Sequence, residues 1–193
     1  MFDIIPGILE KDWKEIEKKI EIVHAFAKVI HVDILDGKFA PNTTFLDPTP
    51  FAKYANDFFL ELHMMVDNPI DYVDEWVEAG FRRMLGHIEG MEDIEEFKSR
   101  CKELDVEAGL VIDGPTAVDE VLDYLDDSLD AILVMTVKAG FSGQAFIPEH
   151  LEKVKTLRSQ TSLPIEVDGG VSIETIKLAE KAGATRFACT SAI

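Results

Sequence analysis

Short apolar runs alternate with amphipathic stretches along the whole chain. The runs of strand length are Ile4–Leu9, Val29–Leu35, Phe58–Val66, Arg83–Ile88, Ala108–Ile112, Ala131–Val137, Pro164–Val167 and Arg186–Ala192. The stretches with helical periodicity between them are Asp12–Val23, Pro50–Ala55, Pro69–Ala79, Met91–Leu104, Ala117–Leu125, Pro148–Ser159 and Ser172–Ala182. The second of these has the weakest pattern. Eight strands separated by helices predict consecutive parallel βαβ units.

Eight such units favour a closed (β/α)8 TIM barrel over an open doubly wound sheet. A dinucleotide-binding sheet is disfavoured because no GxGxxG motif follows the first strand. No linker-like segment divides the chain, which we interpret as one catalytic domain over residues 1–193. The eighth strand is the last predicted element, so we expect a barrel that lacks the eighth helix. The apolar surface left uncovered would favour a homo-oligomer.

Composition narrows the classes of function. The 193 residues carry a formal net charge of −18, from 37 acidic and 19 basic residues, which argues against nucleic acid as a partner. A membrane span needs about 20 mostly apolar residues, and the apolar runs here are strand-sized. The two cysteines form neither a disulfide framework nor a CxxC motif. Without a secretory signal, we expect a cytoplasmic protein. A small phosphorylated ligand remains compatible, since backbone N–H groups can bind phosphate.

Polar side chains interrupt three of the apolar strands near their carboxyl ends, where active sites lie in such barrels. In the second strand, alternation places His31 and Asp33 on the face opposite Ile34, and the third and seventh strands present His63 and Asp168. Two imidazoles and two carboxylates suit a divalent metal ion, first Zn²⁺, with Fe, Mn or Co as alternatives.

Two carboxylates in one metal site have a specific chemical use. A metal ion that polarises a carbonyl eases removal of the adjacent C–H proton, and two carboxylates on opposite faces can then invert a stereocentre. We therefore interpret Asp33 and Asp168 as candidate acid–base residues. The apolar residues that would exclude water at this end are Leu35, Met65 and Met135.

Other polar residues have less certain places in this pattern. His87, near the end of the fourth strand, is a candidate to line the site, although its neighbours do not decide its direction. Glu61 and Glu166 lie one layer deeper; they either orient a metal-bound histidine or are exposed by twist or paired with lysine. We interpret His24 and His150 as surface residues.

Four ordered motifs resemble the ribulose-phosphate 3-epimerases. They are the segments His31–Asn42, Glu61–Met65, Leu133–Phe146 and Glu166–Gly170. The resemblance extends from about Ile5 to Ile193. It implies a (β/α)8 barrel that interconverts D-ribulose 5-phosphate and D-xylulose 5-phosphate, and hence a small phosphorylated ketose as the partner. It also implies metal ligands at His31, Asp33, His63 and Asp168, with the two aspartates as the acid–base pair.

The resemblance further implies a substrate pocket. Its residues would be Gly7, Leu35, His63, Met65, Met135, Gly140, Phe141, Ser142, Gly143, Gly169, Gly170, Thr190 and Ser191. In the family, phosphate is held by backbone amides of the loops after the sixth, seventh and eighth strands. The segment 140–143 would also serve as a lid.

Several positions depart from the family pattern. Gly7 replaces a serine of the pocket, Leu35 replaces a methionine, and Thr190 replaces a glycine of the last phosphate loop. The loop usually written Asn-Pro-Gly-Phe-Gly-Gly-Gln is here residues 138–144 with the sequence KAGFSGQ. These departures bear on the substrate more than on the reaction type. They leave two alternatives open: an epimerase of a hexulose 6-phosphate, or a catalytically lapsed barrel that binds a sugar phosphate.

Overall fold

The computed structural model describes residues 2–190, in which all strands are parallel and close into one barrel. The strands are β1 Asp3–Ile8, β2 Val29–Leu35, β3 Phe59–Met65, β4 Phe81–His87, β5 Glu107–Ile112, β6 Ala131–Met135, β7 Ile165–Asp168 and β8 Arg186–Cys189. Strands pair in chain order, and β8 closes against β1. The predicted TIM-barrel fold class is thus confirmed.

Helices lie between the strands, outside the barrel. They are α1 Trp13–Val23, α2 Ile70–Glu78, α3 Ile94–Glu103, α4 Asp119–Leu122, α5 Leu151–Gln160 and α6 Ile173–Ala182. Three 3-10 segments occur at Thr49–Tyr54, Ile88–Gly90 and Pro148–His150. Among the described residues, none of the helices is both long and apolar enough to cross a membrane.

Some predicted boundaries were wrong. The second predicted helix is a 3-10 segment of six residues, Thr49–Tyr54, in keeping with the use of 3-10 turns as short connectors. Of the predicted stretch 117–125, only Asp119–Leu122 is helical. Strand β4 begins at Phe81, because a register shift between Leu60 and Glu61 lets Phe81 pair with β3. Ser191 and the two residues after it lie outside the described residues, so the missing eighth helix stays a prediction.

Alternation along each strand divides the apolar side chains between two cores. One face packs against the helices and buries large side chains such as Trp76, Phe81 and Phe97. The other face fills the barrel interior with a smaller cluster that includes Leu35, Met65, Leu85, Leu133 and Met135. Polar side chains share this interior, since Glu166 on β7 lies opposite Leu133 in the register of the sheet. This arrangement leaves the polar side chains of β2, β3 and β7 enclosed by packed residues.

Candidate metal and acid–base site

Four side chains from three strands meet inside the mouth of the barrel. In the register of the sheet, Asp33 on β2 lies opposite His63 on β3, with His31 one layer below, and Asp168 comes from β7. All four are buried. One ligand atom from each lies within 4.8 Å of those of the others. The structure therefore brings together the four residues that alternation placed on inward faces.

The contacts among these residues suit a cation. His63 Nδ1 lies 2.7 Å from Asp33 Oδ1 and 3.8 Å from Asp168 Oδ2, and His31 Nε2 lies 3.3 Å from Asp33 Oδ1. Within residues 2–190, His31 Nε2 and Asp33 Oδ2 have no hydrogen-bond partner although both are buried. Such orphaned lone pairs are costly in an apolar interior unless something binds them. The donor set and its unpartnered atoms fit a divalent metal ion.

Local charges push the two carboxylates in opposite directions. Burial disfavours the charge on Asp33, but the charge of His31 and hydrogen bonds with His31 and His63 outweigh it, so its pKa is held well below its usual range. Burial and then the charge of Asp33 raise the pKa of Asp168. Neighbouring carboxylates with separated pKa values are the arrangement that acid–base catalysis uses.

A charged layer supports the site from below. Glu61 Oε1 accepts a hydrogen bond from His31 Nδ1 at 2.7 Å, and Glu61 Oε2 forms a buried ion pair with Arg83. Arg83 also donates to Glu107 at 2.7 Å. These interactions lower the pKa of Glu61 to about 2 against the effect of burial. Glu166 is buried as well, and burial together with the charge of Glu61 raises its pKa to about 7.

This layer decides between the two interpretations of Glu61 and Glu166. The interpretation that twist exposes these residues or that they pair with lysine is wrong. Both side chains are fully buried, and Glu61 pairs with an arginine. Glu61 instead holds His31 Nδ1, which leaves Nε2 facing Asp33. Sequence reasoning missed Arg83, which parity places on the same face as Leu85 and His87.

His87 and Glu89 extend the polar cluster on the side of β4. His87 points inward, with Nε2 at 3.0 Å from His63 Nε2 and Nδ1 at 3.0 Å from Glu89 Oε2. Glu89 Oε1 accepts the backbone N–H of Asp113 at 2.7 Å. Although burial opposes ionisation of Glu89, its hydrogen bond and charge interaction with His87 lower its pKa to about 2. Glu89 is a further residue that sequence reasoning missed.

The remaining histidines differ from each other. His24 is exposed, as predicted. His150 lies only partly at the surface: its side chain is half-buried, and its Nδ1 lies 3.2 Å from the backbone oxygen of Met135. The sequence around His150 did not indicate this contact with β6.

A cavity above the two aspartates is enclosed by the loops after β6, β7 and β8. It contains Asp33 and Asp168 and most of the residues expected in a substrate pocket: Met65, Met135, Gly140, Phe141, Ser142, Gly143, Gly169, Gly170 and Thr190. Gly7, Leu35 and His63 do not line it. Leu35 and His63 are fully buried. Ser191 lies outside the described residues. Leu9, Val137, Gln144, Val171 and Ala188 also line the cavity and were not anticipated.

Backbone conformation shapes the loop side of this cavity. The residues there with positive φ are Gly140, Gly143, Gly169 and Gly170. A Cβ at Gly170 would overlap the backbone nitrogen of Phe146, so only glycine fits there. The Gln144 amide donates to the backbone oxygens of Lys138 and Phe141, at 2.7 and 2.9 Å, and so bridges the two ends of this loop.

Gly7 and Thr190 form a complementary pair. A Cβ at Gly7 would overlap Thr190 Oγ1 and lie 3.3 Å from Thr190 Cβ. Thr190 is absent from the non-glycine residues with positive φ in the described chain, which are Asn68 and Asp105. Position 190 therefore does not adopt the positive φ that would require a glycine. The two departures from the family pattern compensate each other in space.

Comparison with known proteins agrees with these motifs. The sequence model described as "Ribulose-phosphate 3 epimerase family" matches residues 3–193. The chain belongs to the ribulose-phosphate 3-epimerase family. It is 38% identical to the ribulose-phosphate 3-epimerase of Chlamydia pneumoniae, over 86% of this chain and 75% of that protein. It is 36% identical to the cytoplasmic isoform of Oryza sativa subsp. japonica, over 98% of this chain and 86% of the relative.

Solved structures outside the family share the fold alone. The 3-keto-L-gulonate-6-phosphate decarboxylase of Vibrio cholerae superposes with a TM-score of 0.74 at 14% identity, covering 100% of this chain and 90% of that one. At this identity the likeness shows a common barrel and no more.

Proposed function

We propose that this protein is a metal-dependent 3-epimerase that interconverts D-ribulose 5-phosphate and D-xylulose 5-phosphate. The observation that carries the proposal is the pair of buried carboxylates, Asp33 and Asp168, which share one site with two imidazoles and have pKa values displaced in opposite directions. Membership of the epimerase family supports the reaction type and the substrate class. A cytoplasmic location, carried in the name of the rice relative, belongs to the same proposal.

The residues that would hold the metal ion are His31, Asp33, His63 and Asp168. A bound divalent ion, proposed as Zn²⁺ with Fe, Mn or Co as alternatives, supplies a Lewis acid that polarises the C2 carbonyl and stabilises enediolate oxygens. The side chains around the site orient the ligand His31. Glu61 holds His31 Nδ1 so that Nε2 faces Asp33, and the ion pair with Arg83 anchors Glu61.

Proton transfer is assigned to the two aspartates. One carboxylate removes the proton from C3, and the other returns a proton to the opposite face of the planar intermediate, which inverts the configuration at C3. In the reverse reaction the two exchange roles. Met65 and Met135, which line the cavity beside them, exclude water from the intermediate.

The loops after β6, β7 and β8 are proposed to bind the phosphate. The segments 140–143 and 169–170 line the cavity and contain four glycines with positive φ, so their backbone N–H groups are the proposed donors. Thr190 and Ser191 complete the proposed phosphate loop. Backbone donors allow an acidic chain to bind an anion without a cluster of lysines.

The test is proton NMR of D-ribulose 5-phosphate in D₂O with the Zn²⁺-loaded protein. We expect solvent deuterium at C3 together with the appearance of D-xylulose 5-phosphate. Exchange without epimerisation would mean that only one carboxylate works, and would contradict the two-carboxylate mechanism. Absence of exchange with metal bound would contradict the proposal. Rapid C3 epimerisation of a hexulose 6-phosphate instead would identify the first alternative, and sugar-phosphate binding without exchange would identify the lapsed barrel.

A further inference from the structure

A second buried imidazole, that of His87, packs against the ring of the candidate ligand His63. The rings of His63 and His87 are stacked, with centroids 5.1 Å apart and planes 23° from parallel, and their Nε2 atoms are 3.0 Å apart. The ring of Phe39 lies 4.7 Å from that of His87 and encloses it further. Neither histidine has exposed surface. The two ring nitrogens that face each other must therefore be matched as one donor and one acceptor.

Glu89 decides which nitrogen of His87 carries a proton. Its Oε2 lies 3.0 Å from His87 Nδ1, while its Oε1 accepts the backbone N–H of Asp113. An ionised carboxylate offers acceptors only, so His87 Nδ1 must be the donor in that contact. The neutral His87 ring then carries its lone pair on Nε2.

The same constraint passes to the next ring. Because His87 Nε2 accepts, His63 must donate from Nε2, which leaves Nδ1 as the nitrogen of His63 that can bind a cation. That atom faces the two aspartates, at 2.7 Å from Asp33 Oδ1 and 3.8 Å from Asp168 Oδ2. Without a cation, Nδ1 carries a proton and donates it to the Asp33 carboxylate, and a bound cation takes the place of this proton. The hydrogen bonds thus run in one direction, from His63 through His87 to Glu89.

We propose that Glu89 and His87 are positioning residues that fix the tautomer of His63, so that its Nδ1 offers a lone pair to a divalent cation held with Asp33 and Asp168. This inference rests on the proposed function, because it requires His63 to be a ligand. Partners behind a metal-bound histidine commonly change metal affinity by about 10–100-fold when they are lost.

Glu89→Gln reverses this chain of hydrogen bonds without removing a heavy atom. The backbone N–H of Asp113 keeps the amide oxygen in the place of Oε1, so the amide NH₂ faces His87 Nδ1 and donates to it. His87 then carries its proton on Nε2 and donates to His63 Nε2. His63 Nε2 then accepts, so Nδ1 carries the only proton of the ring, and a cation can bind at Nδ1 only if the ring gives up that last proton.

The matched control is Glu92→Gln. Glu92 is exposed, lies three positions farther along the same loop and loses the same charge on substitution. It touches none of the candidate site residues in the described hydrogen bonds and ion pairs. Any effect of net charge alone would appear equally in both variants.

The first measurement is the histidine tautomer in the metal-free protein, read from long-range proton–nitrogen correlation spectra of the imidazole rings. We expect His87 to be protonated at Nδ1 in the wild type and in Glu92→Gln, and to have a bare Nδ1 in Glu89→Gln. A His87 that keeps the same protonated nitrogen in Glu89→Gln would overturn the role of Glu89. This readout needs no bound metal.

The second measurement is Zn²⁺ affinity, by competition with a chromophoric chelator. We expect Glu89→Gln to bind about 10–100-fold more weakly than the wild type and Glu92→Gln to bind equally well. A second pair of variants tests the same contact, since the amide oxygen in His87→Gln can accept from His63 Nε2 whereas the side chain in His87→Leu cannot. His87→Gln should therefore bind Zn²⁺ more tightly than His87→Leu.

Failure of the proposed function would look different. A wild-type protein that binds no Zn²⁺ and exchanges no C3 proton would overturn the proposed function and the ligand role of His63 with it. A wild type that binds Zn²⁺ and epimerises, while Glu89→Gln binds with unchanged affinity, would overturn the tautomer role alone.

Discussion

The two sides of the barrel mouth are built by different means. On the side of β2 to β4, side chains form the site, and the ring nitrogens of His31, His63 and His87 face other imidazoles or carboxylates. On the side of β6 to β8, backbone forms the site, through loops that turn at glycines with positive φ. The first side is held by buried polar contacts. The second is held by close approach of main chain.

This difference suggests that the buried side chains carry out the reaction and that the backbone loops bind the substrate. The four candidate ligands match the epimerase pattern, three of them on β2 and β3 and Asp168 at the end of β7, whereas departures fall at Gly7, Leu35, Thr190 and the loop 138–144. Damage to the ligands should therefore reduce kcat, and damage to the backbone loops after β6 to β8 should raise KM. The predictions below test that division, beginning with the largest effect.

Asp168→Asn should nearly abolish epimerisation. The amide cannot take or give the proton that the carboxyl group transfers, and loss of one acid–base group typically costs about 10²–10⁴-fold in rate. Enzymatic assay of D-xylulose 5-phosphate formation measures the loss. The control is Asp123→Asn, an exposed aspartate far along the chain from the site. Equal turnover in Asp168→Asn and the wild type would contradict the proposed role.

Arg83→Met should destabilise the fold strongly. It leaves the buried Glu61 carboxylate without its ion-pair partner, which typically costs about 3–5 kcal/mol. The free energy of unfolding, measured with urea, gives the size of the effect. Arg82→Met, at the exposed neighbouring position, is expected to change it by less than about 0.5 kcal/mol. Similar values for the two variants would show that the lower charged layer does not support the barrel.

Gly170→Ala should weaken substrate binding more than Gly143→Ala. Both glycines have positive φ, of 64° and 78°, but an added Cβ meets the backbone of Phe146 only at Gly170. Gly143→Ala should cost about 1–2 kcal/mol of stability from backbone strain, and Gly170→Ala should add about 1–3 kcal/mol from overpacking. The division of the mouth further predicts that KM rises more than kcat falls in Gly170→Ala. The opposite split in steady-state kinetics would break the comparison.

Gly7→Ser should be harmful alone and tolerated with Thr190→Gly. The added Cβ overlaps Thr190 Oγ1, an overpacking that costs about 1–3 kcal/mol, and the second change removes that oxygen. A double-mutant cycle on the free energy of unfolding should give a coupling of about 0.5–3 kcal/mol. Additive effects would mean that the two positions do not compensate each other.

Some residues show how far sequence reasoning reaches. Alternation along β2 placed His31 and Asp33 inward. Successive side chains of a strand point to opposite faces of the sheet, and a closed barrel encloses one of these two faces. The same rule failed to decide His87, whose neighbours are Gly86 and Ile88. Boundaries were less predictable, as the 3-10 segment Thr49–Tyr54 shows, because short segments depend on what packs over them.

Sequence alone determined the number and order of strands, the inward position of the candidate ligands and the family, because these depend on local periodicity and on motif spacing. Only the tertiary structure decided which partners those residues have. The pairing of Glu61 with Arg83, the hydrogen bond between His63 and His87, and the fit of Thr190 over Gly7 join residues distant in the chain. Such contacts depend on barrel closure and register, which bring side chains to within a few ångströms irrespective of their separation in sequence.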